Sequence, residues 1–321
     1  MAELKGNRFL VIGRAGMDLY ADPPGARVDE AERFTTALGG SSANIAAGLC
    51  RLGASAALLT AVSDDAVGQF ALRQLDRYGI DRSHVHVVGG EARNSLALVA
   101  SRLDDTQSVI YRNGAADFEM TEAMVEAVDY TTFDALVTTG TVFAAEPSRS
   151  AAFRALDLAR SAGLTIVFDI DYRPYSWPSA RAAEDVYQKV ASRCDIIVGN
   201  DDEFGFLAGG YDKGRGAARA LVMGSGRIVV YKMGEKGSVT YFESDEITTD
   251  IFPTTALKPT GAGDSFMAGF LAALAEPRPL KEALARGTAA AAIVVSRVGC
   301  APAMPTGAEL DTFLGQHAHR G

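Results

Sequence analysis

The sequence predicts an α/β fold, a mostly parallel central sheet between helices with a small β lid. Three observations carry that expectation. Short apolar runs of strand length alternate with longer stretches of helical spacing along most of the chain. Polar and acidic residues cluster where those runs end, as they do at the ligand edge of an open parallel sheet. Two segments, about residues 14–37 and 84–113, break the rhythm with short strands and no long helix between them. With 321 residues, 48% hydrophobic and 22% charged, the chain is expected to form one domain, residues 1–321, around a sizeable core.

Arg8 to Gly13 (RFLVIG) reads as a first buried strand, and Asp18 follows just past its end. The polar stretch from Ala21 to Thr36, with Pro23, Pro24 and Gly25, reads as a loop and one or two strands outside the main sheet. Leu38 to Gly53 (LGGSSANIAAGLCRLG) is a glycine turn running into a helix. Gly39 and Gly40 permit a close backbone approach, Ser41 or Ser42 can cap the helix, and Asn44 rides on it. Two readings stand for this turn: a set of contacts for sugar hydroxyls, or a helix cap with packing glycines. Ala56 to Val62 is a predicted strand, and Ala66 to Tyr78 a helix stopped by Gly79. His84 to Arg112 reads as short strands with polar turns at Gly89–Gly90 and Asp104–Asp105, ending in Tyr111 and Arg112. Such an insertion suits a lid, which a reaction with water as competing nucleophile benefits from.

The strand–helix alternation resumes with a short helix at Met124–Val128, a strand at Ala135–Gly140 and a helix at Ser148–Ala162. LTIVFDIDYR is an apolar strand that opens into Asp169, Asp171 and Arg173. A helix at Ala182–Ser192 leads to the strand CDIIVGN, with Asn200 and Glu203 just beyond it. These acids fit either a site rim or helix capping. RIVVYKMGEKGSVTYF reads as strand, turn and strand, with Lys232, Gly234 and Gly237 in the turn. The helix near Leu280 to Ser296 is so rich in small apolar residues that it should be packed on both sides, and a short helix at Ala308–Leu314 follows.

The most telling stretch is Lys258 to Leu274 (KPTGAGDSFMAGFLAAL). Gly261, Ala262 and Gly263 are too small to cover their amides, and a helix starts there, with unpaired N–H groups and a positive dipole end. That is a cradle for a phosphate. Asp264 beside it either accepts the proton of an attacking hydroxyl or is an ordinary first-turn aspartate.

Other chemistries lack their residues. The net charge of −9, with no cluster of Lys and Arg, argues against a nucleic-acid partner. Cys50, Cys194 and Cys300 have no metal-ligand spacing, and an odd count without an export segment suits the cytoplasm. No apolar run is long enough for a membrane span. A GxGxxG after the first strand, a P-loop, a GxSxG elbow and an HExxH are all missing. Phosphoryl transfer to a small hydroxylated acceptor uses what remains. Asp264 is then the base, the Gly261–Gly263 amides steady the transferring group, and Asn200 and Glu203 orient Mg2+ carried by ATP.

The early GGSSAN and the late PTGAGDSF, in this order and separation, resemble the two motifs of the ribokinase-like, or PfkB-type, carbohydrate kinases. The resemblance spans essentially the whole chain and implies the fold described above. It implies Asp264 as catalytic base and Gly261, Ala262 and Gly263 as anion hole. It places sugar-hydroxyl contacts at Asp18, Gly39, Gly40 and Asn44. Asn200 and Glu203 match a pair tied to Mg2+ through water, and Lys232, Gly234 and Gly237 a turn flanking the nucleotide, with adenine between it and Ala289–Ser296. A monovalent cation such as K+ near the anion hole, and a homodimer through the lid, are further expectations. GRAGMDLY, YRNGAADF, FDIDYRPYSW and AAAAIVVSRVGCAPAMPT resemble the branch of myo-inositol breakdown, which phosphorylates the 6-hydroxyl of 5-dehydro-2-deoxy-D-gluconate. For such a sugar acid, Arg112 and Arg173 are the expected carboxylate clamp. Kinases of 2-keto-3-deoxygluconate, fructose or ribose are the nearest alternatives, and Asp171 stands where the first of these resembles DxNxR with asparagine. A non-catalytic sugar-acid sensor is the alternative of another class.

Overall fold

The computed structural model describes residues 4–317. In chain order its strands are β1 (Arg8–Ile12), β2 (Gly16–Asp22), β3 (Arg33–Gly39), β4 (Ser55–Ser63), β5 (Val85–Val88), β6 (Leu96–Val99), β7 (Ser108–Tyr111), β8 (Ala135–Thr139), β9 (Thr165–Asp169), β10 (Ile196–Asn200), β11 (Ile228–Lys232), β12 (Ser238–Phe242) and β13 (Asp245–Thr249). The helices are α1 (Ser41–Arg51), α2 (Ala66–Tyr78), α3 (Glu122–Glu126), α4 (Ser148–Ser161), α5 (Ala180–Ala191), α6 (Asp201–Leu207), α7 (Gly214–Ala220), α8 (Ala262–Leu274), α9 (Leu280–Val295) and α10 (Gly307–His317).

Nine strands make one sheet in the order β13-β12-β11-β10-β9-β8-β1-β4-β5. All its pairs are parallel except β11·β12 and β12·β13. Parallel strands are covered on both faces, so they read as unbroken apolar runs. In β1, Leu10 and Ile12 face one core, with residues of α3, α4 and α5, while Phe9 and Val11 face the other, with residues of α1, α2, α8 and α9. This alternation places helix layers on the two sides of the sheet.

Four strands form a second sheet in the order β3-β2-β6-β7. Its own small core is Tyr20, Ala37, Ala97 and Val99, with Ile110 and Val298 packed on it. This is the lid, but its membership differs from the sequence expectation. Val85–Val88, assigned to the lid as part of residues 84–113, pairs in parallel with β4 and forms an edge of the main sheet. An edge strand is only partly buried, so VHVV lacks the apolar run that marks a central strand. The Asp22–Pro23 peptide at the end of β2 is cis.

Ser41 and Ser42 do not cap α1. Its N-cap is Gly40, without a side-chain cap bond. Both hydroxyls have other partners: Ser41 Oγ donates to Asp171 Oδ2 at 2.7 Å and Ser42 Oγ to the Ile12 carbonyl at 3.1 Å. The expected two-sided burial of α9 is met by α8 on one side and Leu310 of α10 on another. Among the described residues no helix is long and apolar enough to cross a membrane.

Candidate active site

Gly261 is the N-cap of α8, with φ of 87°. A side chain there would be strained, and its Cβ would stand 2.7 Å from Cys300 Sγ. The turn therefore depends on glycine. Among the described residues, the amides of Gly261, Gly263 and Asp264 have no backbone acceptor, so the helix start offers them to a ligand. Lys232 Nζ lies 3.4 Å from where a Cβ on Gly263 would be, which sets an ammonium beside these donors. The arrangement is an anion cradle.

Asp264 stands on the first turn of the same helix. Its Oδ2 accepts from Asn44 Nδ2 at 2.8 Å and from Cys300 Sγ at 3.4 Å. The other side of the Asn44 amide, Oδ1, is buried with no partner. A buried acceptor without a donor is costly, and a hydroxyl of a bound sugar would satisfy it. Burial, then the charge of Asp171, push the Asp264 carboxyl up to about 6, against Asn44, Cys300 and Arg173. A base with that affinity is ionised at neutral pH and still able to take a proton.

The root of the lid supplies the next acid. Asp18 sits in β2 opposite Ala37 of β3, and the chain of β3 runs on into Gly39 and Gly40. A Cβ on Gly39 would be 2.0 Å from Asp18 Oδ1, so the residue types at these two positions are set by one contact. Burial raises Asp18 to about 6, opposed mainly by Arg14 and by the Tyr20 hydroxyl, which donates to Asp18 at 3.3 Å. Asp171 adopts φ of 37° and accepts from Ser41 and from Thr141 at 3.4 Å.

The two arginines expected to clamp a carboxylate are in different states. Arg173 pairs with Asp171 at 2.6 Å and is 41% exposed, so its fork remains accessible. Arg112 is buried: it pairs with Asp117, donates to the Thr141 carbonyl at 3.0 Å and stacks on Phe118. A buried carboxylate neutralises it, so it is not a free clamp. The sequence reading missed Arg14. It is 9% exposed, its Nε is buried with no partner, and its contact with Ser95 Oγ is long, 3.5 Å. Its charge lowers Asp18, and Tyr175 feels the charges of Arg173, Arg14 and Arg112. Only its place just past the β1 strand end hinted at this.

On the nucleotide side, Asn200 and Glu203 form a reciprocal capping box at the start of α6. Asn200 Oδ1 accepts from the Glu203 amide at 2.8 Å, and Glu203 Oε2 from the Asn200 amide at 2.7 Å. Helix capping, one of the two readings above, is thus observed. It leaves Glu203 Oε1 and Asn200 Nδ2 outside the box. Asn200 is in register with Lys232 across β10·β11, so these groups share one sheet edge. Burial raises Glu203, and it raises Asp169 well above the usual carboxylate range, with Lys232 opposing both. Two buried acids crowded beside one lysine would gain from further positive charge. They fit a Mg2+ that arrives with phosphates and keeps much of its water. Gly234 and Gly237, with φ of 57° and 77°, form the turn between β11 and β12.

This geometry has relatives. The model of the pfkB family carbohydrate kinases matches residues 7–307. The chain is 37% identical over 314 residues to a 5-dehydro-2-deoxygluconokinase of Geobacillus kaustophilus, covering 96% of this chain and 94% of that one. The crystal structure of a PfkB protein from Polaromonas sp. JS666 is similar at 30% identity and a TM-score of 0.80, over 95% of this chain and 99% of that chain. The fold is shared with a fructokinase double mutant from Vibrio cholerae in its fructose, ADP and potassium ion bound form, at 21% identity and a TM-score of 0.84, over 98% and 100%. The match of the family model over residues 7–307 and the 37% identity over nearly the whole chain show that this chain belongs to the PfkB family of carbohydrate kinases.

Proposed function

We propose that this kinase transfers the γ-phosphoryl group of ATP to the 6-hydroxyl of 5-dehydro-2-deoxy-D-gluconate. Similarity to the 5-dehydro-2-deoxygluconokinase of Geobacillus kaustophilus supports that substrate. The observation that carries the mechanism is the pairing of Asp264 with Asn44, whose free oxygen awaits a hydroxyl. Asn44 and Asp18 hold the acceptor so that its 6-hydroxyl faces Asp264, which takes the proton. The amides of Gly261, Gly263 and Asp264 and the Lys232 ammonium steady the phosphoryl oxygens. Mg2+, held from the Glu203 and Asp169 side, neutralises charge on the nucleotide phosphates when bound.

At the far end of the acceptor we assign the carboxylate to Arg14 and Arg173, with Arg112 shaping the wall through Asp117. A neutral sugar has no use for a buried guanidinium with an unpartnered donor. We assign adenine to the space between the Gly234–Gly237 turn and the part of α9 around residues 289–296. A homodimer through the lid and a cytoplasmic location belong to the same reading; the free thiols Cys50, Cys194 and Cys300 suit a reducing compartment.

The test is ATP consumption with Mg2+ against 5-dehydro-2-deoxygluconate, 2-keto-3-deoxygluconate, fructose and ribose, with product masses measured. Preference for the first acid is expected. Preference for 2-keto-3-deoxygluconate would keep the mechanism and move the pathway. Preference for a neutral sugar would overturn the carboxylate assignment, and no turnover at all would favour a sugar-acid sensor.

A further inference from the structure

Lys258 lies shortly before Asp264 in sequence and is completely buried. An ammonium loses its hydration there, so its partners must replace water. Nζ donates to the carbonyl oxygen of Thr260, and to that of Val294 at 3.3 Å. Thr260 is the residue before Gly261, so its carbonyl belongs to the peptide that leads into the anion turn. Val294 is in the last turn of α9, where its carbonyl accepts from the Arg297 amide at 3.2 Å and the dipole is negative. The backbone reinforces the link, because the Leu257 and Lys258 amides both donate to the Val295 carbonyl, at 2.7 and 3.2 Å. Burial lowers the affinity of the amine for its proton, while Cys300, Asp264 and Asp18 support the charged form.

Carbonyl oxygens gathered behind an anion cradle are the donor set that a hard monovalent cation takes. The family resemblance implied such a cation near this turn. The residues present do not fit one at these oxygens. Two of the carbonyls are occupied by an ammonium, and a second positive charge beside it would be repelled.

We propose that the Lys258 ammonium is a built-in cation for the anion turn, tying its entry to the end of α9, so that phosphoryl transfer here requires no free monovalent ion. The charge stabilises the same oxygens at every salt composition. It also places a fixed positive charge behind the amides that receive the phosphoryl group. The nature of the residue at this one position then decides whether the enzyme depends on an ion.

The turnover arm of the test rests on the kinase reading, so a second arm reads ion binding without substrate. Turnover of the purified full chain is measured in N-methylglucamine, sodium and potassium chlorides at equal ionic strength. Rates within about twofold of each other are expected, and a larger gain in potassium would overturn the proposal. In Lys258→Ala the carbonyls lose their cation. Turnover should fall about 100-fold in N-methylglucamine and recover at least in part with potassium or ammonium. A variant as active as the parent without either ion would overturn the proposal. In the second arm, thermal midpoints are read without ligands. The variant should gain about 2 °C or more from potassium over N-methylglucamine, and the parent nothing. A potassium-specific gain in the parent would overturn the proposal. If Lys258→Ala does not fold, the parent's two arms decide. Absence of turnover in every salt removes the kinase reading instead, and the parent's thermal arm still stands.

Discussion

As the proposed base, Asp264 would serve two opposed demands. A general base must be ionised to accept a proton, yet burial and the charge of Asp171 hold its carboxyl up to about 6. Turnover should therefore fall close to tenfold per pH unit below about pH 6. Asp264→Asn should lower kcat by about 1000-fold while ADP binding, read by calorimetry, stays near normal. Near-normal turnover would remove Asp264 from the role of base. The same shift has a stability consequence of opposite sign. The folded carboxyl binds its proton more tightly than the unfolded one, so its contribution to stability is full below the unfolded value of 3.8 and lost as pH rises through about 6. Asp264→Asn should raise the unfolding free energy at about pH 8, by an amount on the order of 1 kcal/mol and seen as a higher thermal midpoint, and not at about pH 4. Arg14→Ala and Arg173→Ala should each raise KM at least tenfold for the acid substrate and less for a neutral analogue; equal losses on both would sink the clamp. Positions that rest on local chain geometry were legible in the sequence: Gly261 and Asp264 lie at the start of one helix, and Gly40 and Asn44 at the start of another, with Gly39 ending the strand before it. Arg14 was not, because its meaning comes from Ser95 and Tyr175, both distant in sequence. Ser41 misled for the same reason: the long-range partner Asp171 outweighs the local cap.

The helices behind the cradle must approach closely. A Cβ on Gly269 of α8 would meet Ala290 Cβ and the Arg286 carbonyl, each at 2.9 Å, and one on Gly287 of α9 would stand 2.9 Å from the Phe266 carbonyl. A backbone carbonyl cannot step aside as a side-chain tip can. Gly269→Ala should cost about 1–3 kcal/mol, seen as a lower urea midpoint with the slope unchanged, and more than the gain Ala brings by helix propensity. An unchanged or higher midpoint would show that the helix pair has slack. Long periodic elements were legible in this way, and Ala66–Tyr78 was placed to the residue because its apolar face and Gly79 stop agree. Short elements were not. GRGAARA of α7 holds two glycines, and DEITT of β13 is a mostly exposed edge strand, so neither carries a periodic apolar pattern. The strand β5 failed for a related reason, since nothing local says which of two sheets an edge strand will join.

At the scale of the whole molecule, the lid is the least self-sufficient part. Its core is small, and among the described residues its outer strands, β3 and β7, have no further strand paired along the sheet edge. On β7, Val109 and Tyr111 are 45% and 58% exposed, large apolar side chains on an open edge. Such an edge needs cover, and a second lid presents the same surface, which suits an isologous contact. Asp18 belongs to this sheet, so whatever steadies the sheet also steadies the group proposed to hold the acceptor. The proposed dimer should therefore be visible in light scattering of the purified chain as a mass twice that of one chain. Val109→Lys with Tyr111→Lys should shift the mass toward one chain without unfolding the main sheet, because β7 touches that sheet through no strand pair. Loss of the partner should loosen the lid and admit water, so ATP hydrolysis without acceptor should rise relative to transfer, by about threefold or more. A single-chain mass for the parent would end the proposal. A double variant that becomes single-chain yet keeps tight coupling of ATP use to transfer would show that each lid closes its own site without help.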